Sequence, residues 1–223
     1  MSEPVVLSWS GGKDSALALR ELRGAGTHDV VGLLTTVTRD HDRVSMHGVR
    51  RALLEAQARA ARLPLHVVEI SAGAGNDEYA ESMSRMLEGF RASGVHTVAF
   101  GDLFLGDVRR YREEMLAPVG MRAIFPLWGR DTAALAREFI AAGFRATLVC
   151  VDGEQLDGRF AGRAFDHSLL DELPARVDPC GERGEFHTFV ADGPVFSGPV
   201  DFTRGETVLR DGRFHFQDLL PAR

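Results

Sequence analysis

Between an apolar run at residues 5–9 and an alanine-rich stretch that starts at residue 15 lies Ser10-Gly11-Gly12-Lys13-Asp14-Ser15. Each residue type has a physical use there. Gly11 and Gly12 let the backbone turn tightly and bring N–H groups close to an anion. A helix that starts behind them presents its unpaired amides and positive dipole end to the same anion. Ser10 and Ser15 add hydroxyl donors, and Lys13 adds a charge-assisted contact to phosphate. Asp14 repels a bare phosphate, so a carboxylate here makes sense if it holds Mg²⁺ or orients a nucleotide indirectly. The loop is not a Walker A motif: the earlier glycine position is Leu7, and Lys13 is followed by Asp14 rather than Ser or Thr. The plain alternative is a glycine-rich turn capped by Asp and Ser. Lys13 is the only lysine among 26 basic residues, a hint that a point-charge ammonium is wanted in the loop.

A second cluster lies late in the chain, in Cys180-Gly181-Glu182-Arg183-Gly184-Glu185-Phe186-His187-Thr188. Two carboxylates, a histidine and a threonine within seven residues suit binding or deprotonating an ammonium ion, or positioning a cationic substrate group. An exposed charged turn is the bland reading. Asp102, after Gly101 at the end of an apolar run, either faces a cleft or caps the next segment. His47 begins a helical stretch and is as readily a surface histidine. Asp40, His41, Asp42 and His47 match no standard metal spacing. Cys150 and Cys180 have no CxxC spacing, which argues against structural zinc and a disulfide framework. Cys180 reads as a small buried thiol rather than a nucleophile.

These residues need a scaffold, and the hydrophobic pattern describes one. Strands are expected at 5–9, 29–37, 65–70 and 95–100. They alternate with helices at 15–22, 49–62 and 76–92, the last with Asn76 as N-cap. Residues 38–46 read as a polar loop. A helix at 108–116, a strand at 123–127, a helix at 132–142 behind Asp131 and a strand at 145–151 follow. Beyond residue 152 short segments replace the alternation, and 207–216 reads as a hairpin around Asp211-Gly212. The alternation predicts an α/β fold with a Rossmann-like parallel sheet, followed by a smaller C-terminal α+β lobe. An ATP-binding domain over 1–128 and a substrate-binding domain over 129–223 are expected. The loops after Trp9, Thr36, Ile70 and Phe100 then line the cleft.

Composition narrows the function classes. The chain has 223 residues, 44% of them hydrophobic and 26% charged, with a net charge of −6. An acidic chain disfavours nucleic acid as partner, and Arg109, Arg110 and Arg112 read as a solvated helix face. No apolar run approaches the roughly 20 residues a bilayer requires. No basic leader precedes the first strand, so a cytoplasmic protein with no membrane partner is expected.

The loop SGGKDS, together with the late GExGE(F/Y)xT pattern, resembles the diphthine–ammonia ligase family of the PP-loop ATP pyrophosphatases. Met46-His47-Gly48, Gln57-Ala58, Leu63-Pro64, Gly101-Asp102-Leu103, Pro126-Leu127-Trp128 and Asp192-Gly193-Pro194 extend the resemblance over nearly the whole chain. That family amidates the carboxylate of diphthine, a modified histidine of elongation factor 2, using ATP and ammonium. The resemblance implies ATP and Mg²⁺ as cofactors, cleavage of ATP to AMP and pyrophosphate, and Lys13, Asp14, Glu182 and Glu185 as catalytic residues. It implies ATP binding by Ser10, Gly11, Gly12, Lys13, Asp14, Ser15, Thr35, Thr36, Gly101 and Asp102, with Asp14 also on the metal. His47, Gly184, His187 and Thr188 would bind the substrate, a small-molecule or protein-borne carboxylate, along with ammonium; a homo-oligomer is allowed. Two rivals are a tRNA-modifying PP-loop enzyme and a non-catalytic ATP-binding regulatory module. The acidic charge and lack of CxxC weigh against the first, and Lys13, Asp14 and the Glu-rich motif against the second.

Overall fold

The computed structural model describes residues 2–44, 47–71 and 76–222, with residues 76–79 described in their backbone only. Strand β1 (Glu3–Ser8) has its three central residues fully buried. Val5 and Leu7 point into one apolar cluster and Val6 into another, as the two-residue period of a strand covered on both faces demands. β1 pairs in parallel with β2 (His28–Thr38) on one edge and β5 (Thr97–Ala99) on the other. β2 pairs in parallel with β4 (Leu65–Ile70), and β5 with β6 (Arg122–Ile124). The parallel order is therefore β4–β2–β1–β5–β6. The chain moves one way from β1 through β2 to β4, then returns to the other side of β1 for β5 and β6. That reversal opens a crevice beyond the carboxyl ends of β1 and β5, where such sheets take their ligands.

Helices α1 (Lys13–Ala25) and α2 (Arg51–Ala61) cover the face reached by Val5 and Leu7. Helices α3 (Asn76–Ala92) and α4 (Gly106–Leu116) cover the face reached by Val6. α1 stops at Gly26, which takes the left-handed conformation (φ 65°) that glycine adopts without strain.

Three expectations change. Residues 38–46 are not all loop: β3 (Arg43–Val44) folds back antiparallel on the end of β2, pairing Val44 with Val37 and Arg43 with Thr38. Ser45 and Met46 lie outside the described residues. The strand expected at 95–100 is the three-residue β5, and the one expected at 123–127 stops at Ile124, two residues before Pro126, which has no amide to continue a ladder. The cap role read for Asn76 concerns a side chain outside those described.

The C-terminal half adds α5 (Thr132–Ala141), β7 (Arg145–Asp152), α6 (His167–Glu172), β8 (Phe186–Asp192), β9 (Phe202–Arg210) and β10 (Phe214–Pro221). Asp131 caps α5 as expected, its Oδ1 accepting from the Ala134 amide at 2.7 Å. The four strands form an antiparallel sheet in the order β8–β7–β10–β9. Its hairpin turns at Asp211 and Gly212, both with positive φ (52° and 64°), and the Arg213 amide bonds the Arg210 carbonyl at 3.0 Å. This is the type I′ turn that Asp-Gly favours. One apolar cluster runs from Leu7 and Leu17 through Phe139 to Phe186 and Phe189, so both sheets share a core. Asp218 of β10 also clamps Arg43 (2.9 Å) and Arg50 (2.7 Å), next to β3 and α2. Among the described residues, no helix is long and apolar enough to cross a membrane.

Candidate active site

The segment between β1 and α1 is held in shape from outside. Gly11 has φ 78°, and a methyl group added there would fall 2.7 Å from Gln57 Oε1. Gln57, fully buried on α2, accepts from Trp9 Nε1 at 3.0 Å and donates to the carbonyls of Gly11 (3.0 Å) and Val190 (2.6 Å). The Val190 amide donates to the Gly11 carbonyl at 2.9 Å. The Lys13 amide, first of α1, donates to Thr188 Oγ1 at 3.0 Å. Strand β8 of the second sheet thus fastens a loop of the first. Ser10 and Ser15 face the loop's own backbone: Ser15 Oγ donates to the Gly12 carbonyl at 2.9 Å, and Ser10 Oγ accepts from the Gly12 amide at 3.3 Å. Gly101 lets the end of β5 approach the start of α1, since a methyl there would lie 2.9 Å from the Asp14 carbonyl carbon.

Lys13 is buried, with Nζ 2.9 and 2.7 Å from the two oxygens of Asp14. Burial alone would pull the ammonium down, but Asp14 beside it, with Cys180 and Glu182 nearby, holds it above its ordinary value. Burial pushes the Asp14 carboxyl up, and Asp178 and Asp102 add to that against the pull of Lys13. Glu182 accepts from the Leu103 amide at 2.7 Å. Burial, with Asp14 adjacent, nonetheless pushes its carboxyl up to about 7. Asp102 is raised by burial too, against the pull of Arg112. His47 and His187 stack with ring centroids 4.3 Å apart. Burial holds His47 well below its ordinary value and His187 at about 4, with Lys13 adding repulsion to both. Both imidazoles are therefore neutral at neutral pH. Burial pushes the Cys180 thiol up to about 12, and its Sγ lies 3.3 Å from the Thr132 carbonyl, so it is an inert buried thiol.

Lys13, Asp14, His47, Asp102, Glu182 and His187 line one cleft of about 520 Å³, a size suited to a small-molecule ligand, while Gly11, Asp178 and Cys180 lie outside its lining. Thr35, Thr36 and Gly101 line it with the loop on one side, and Glu182, Gly184, His187 and Thr188 on the other. Glu185 does not belong with them. It is buried and turned into the segment, accepting from the amides of Asp178 (2.8 Å) and Arg183 (3.0 Å). The glutamate pair read from the sequence is split: Glu182 faces the cleft and Glu185 braces the turn behind it. Thr188 reaches the site as a tether for Lys13. Asp178 joins the brace, accepting from the Cys180 amide at 2.9 Å and the Thr132 hydroxyl at 2.7 Å.

Sequence reasoning passed over Gln57, Arg112 and Asp178 as site residues and read Trp9 as a packing residue. Gln57 carried a usable signal, since it is a polar side chain on a stripe otherwise made by Leu53, Leu54, Ala58 and Ala61.

The residues present fit a nucleotide and its metal. Four buried polar atoms on cleft residues have no hydrogen-bond partner: Thr35 Oγ1, His47 Nδ1, Asp102 Oδ2 and Arg112 Nε. Among the described residues no cluster of three ligands forms a metal cage. Mg²⁺ in nucleotide sites needs none, being held by one or two carboxylates and the phosphates themselves. Asp14, a carboxylate lining the cleft beside the loop, has the oxygen donors for that role.

Residues 3–123 match the family model for the diphthamide synthase N-terminal domain, and residues 131–215 match that for the diphthamide synthase C-terminal domain. A diphthine–ammonia ligase of Danio rerio is 29% identical over 90% of this chain and 86% of its own length. Its counterpart in Homo sapiens is 26% identical over 90% of this chain and 83% of its own. That of Schizosaccharomyces pombe is 25% identical over 89% of this chain but 36% of its own, much longer sequence.

Proposed function

Because the chain belongs to the diphthamide synthase family, we propose that it is an ATP-dependent amide ligase that cleaves ATP to AMP and pyrophosphate. The acceptor is a carboxylate, with diphthine as the candidate on the strength of the relatives' names. A carboxylate oxygen attacks the α-phosphorus and pyrophosphate leaves. Ammonia then attacks the acyl carbon, AMP leaves, and the proton shed by the nitrogen passes to a base. The amide end of α1 and the Lys13 ammonium receive the departing pyrophosphate. Asp14 holds Lys13 in place. When bound, Mg²⁺ supplies charge neutralisation to the phosphates, with Asp14 as its protein ligand. Glu182, at about 7, is ionised often enough at neutral pH to take the proton from nitrogen and basic enough to hold it. The neutral His47–His187 pair lines the same side without competing as a cation.

The observation that carries this reading is that Lys13, on the phosphate loop, and Glu182, a carboxyl poised near neutrality, share one cleft. The test is release of AMP and pyrophosphate from Mg²⁺-ATP with ammonium and diphthine-bearing elongation factor 2. Lys13→Ala is expected to lower that release by about 10²-fold or more with its far-ultraviolet circular dichroism unchanged. Full release by the variant would sink the proposal.

A further inference from the structure

Among the described residues, two permanently cationic side chains line the cleft, and they are engaged to different degrees. Lys13 is clamped by both oxygens of Asp14. Arg112 enters from α4, which follows β5 on the other side of the switch point. Its buried Nε makes a long ion pair, 3.5 Å, with Oδ2 of Asp102, and neither atom has a further hydrogen-bond partner. Its guanidinium lies 5.0 Å from the Phe100 ring centroid, and its Nη donors bond none of the described residues. The ring fixes the plane of the fork. Asp102 steadies the Nε edge without saturating it.

The cleft's other ionisable walls are Asp14, Asp102, Glu182 and the neutral His47 and His187. The loop and α1 serve the phosphates beyond β1. On the β5 and α4 side the described lining is apolar apart from Asp102 and Arg112, so Arg112 is the cation that an anion meets there. The guanidinium fork matches a planar oxyanion in a bidentate way that an ammonium cannot. We propose that Arg112 is the receptor for the acceptor's carboxylate, holding it in the cleft beside the phosphate loop. The proposal rests on the ligase reading, which requires a carboxylate acceptor. A nucleotide phosphate offers a similar oxyanion, and the test separates the two.

The Nε–H resonance of Arg112, assigned by its loss in Arg112→Gln, is followed while butyrate is titrated into the protein loaded with Mg²⁺ and a non-hydrolysable ATP analogue. A saturable shift is expected, absent when chloride replaces butyrate. Calorimetry is expected to show analogue affinity changed by less than about twofold in Arg112→Gln. KM for the carboxylate acceptor is expected to rise by about tenfold or more, with partial rescue by Arg112→Lys and a smaller change in kcat. No shift with butyrate would overturn the proposal. So would a tenfold or greater loss of analogue affinity in Arg112→Gln, which would give the guanidinium to the nucleotide. The resonance is read without turnover. Butyrate binding at Arg112 in a protein that releases no pyrophosphate would therefore sink the ligase reading and leave the receptor standing.

Discussion

Burial, with Asp14 and Asp102 close by, lifts the Glu182 carboxyl from its ordinary 4.5 to about 7, and this has two measurable effects of opposite use. The first is catalytic. A base must be ionised, so pyrophosphate-coupled amidation is expected to fall as pH drops below about 7. Glu182→Gln is expected to lose about 10²-fold in kcat together with that acidic limb. The second is on stability. The folded protein binds this proton more tightly than the unfolded chain, so Glu182 costs stability as pH rises through the window from 4.5 to about 7. Glutamine keeps an oxygen for the Leu103 amide and removes the charge. Glu182→Gln is therefore expected to melt roughly 3 °C above the parent at pH 8 and level with it at pH 4. A residue that stabilises the protein when removed and abolishes turnover is the signature of a strained functional group. Glu185, three residues on, shows the contrast: both its oxygens are occupied by backbone amides, and its type and spacing in the sequence gave no sign of that.

Helix α2 contributes to the site without touching a ligand. Through Gln57 it joins Trp9, Gly11 and Val190, so the end of β1, the loop and β8 are set by one side-chain amide. Gln57→Leu keeps the volume and removes every bond, leaving the Trp9 indole N–H and the Val190 carbonyl buried without partners. A loss of about 2–4 kcal/mol in urea unfolding is expected, with weaker ATP binding as the loop loosens. Elements of this kind define how far the sequence could be read. The alternation of apolar strands and amphipathic helices through residue 100 was legible, because a parallel sheet covered on both faces leaves a strong local pattern. The Asp211-Gly212 turn was legible from two residues. Strand β3 was not, being two residues long and stabilised only by pairing with β2. Nor was the order of the second sheet, where β7 lies between β8 and β10, partners about 40 and 65 residues later in the chain, and local propensity does not encode such pairings. The turn from β1 into α1 was legible as a local strand–glycine–helix pattern, while its fastening by Gln57, Thr188 and Val190 depends on contacts that only the fold creates.

At the scale of the molecule, the two sheets share an apolar core and an ionic clamp. Phe186 and Phe189 of β8 belong to the same buried cluster as Leu7 and Leu17, and Asp218 binds Arg43 and Arg50 across the junction. Burial would raise the Asp218 carboxyl, but hydrogen bonds from Arg50 and Arg43 outweigh it and hold it below its ordinary 3.8. Its stabilisation is therefore present above about pH 4 and lost as pH falls further. Asp218→Ala is expected to cost about 1–3 kcal/mol at pH 7 and much less at pH 3. Tryptophan fluorescence and circular dichroism should still report one coincident transition, because the shared core remains. Two separated transitions would show that the clamp, and not the core, unites the halves. The tethering of the loop by β8 also ties the shape of the loop to the docking of the second sheet. The Lys13 amide is fastened by Thr188, 175 residues further along the chain. Without β8 in place, Gly11 and Lys13 lack their anchors. The candidate site is therefore complete only when β8 has docked on the first sheet, so the shape of the loop and the packing of the two sheets are gained or lost together.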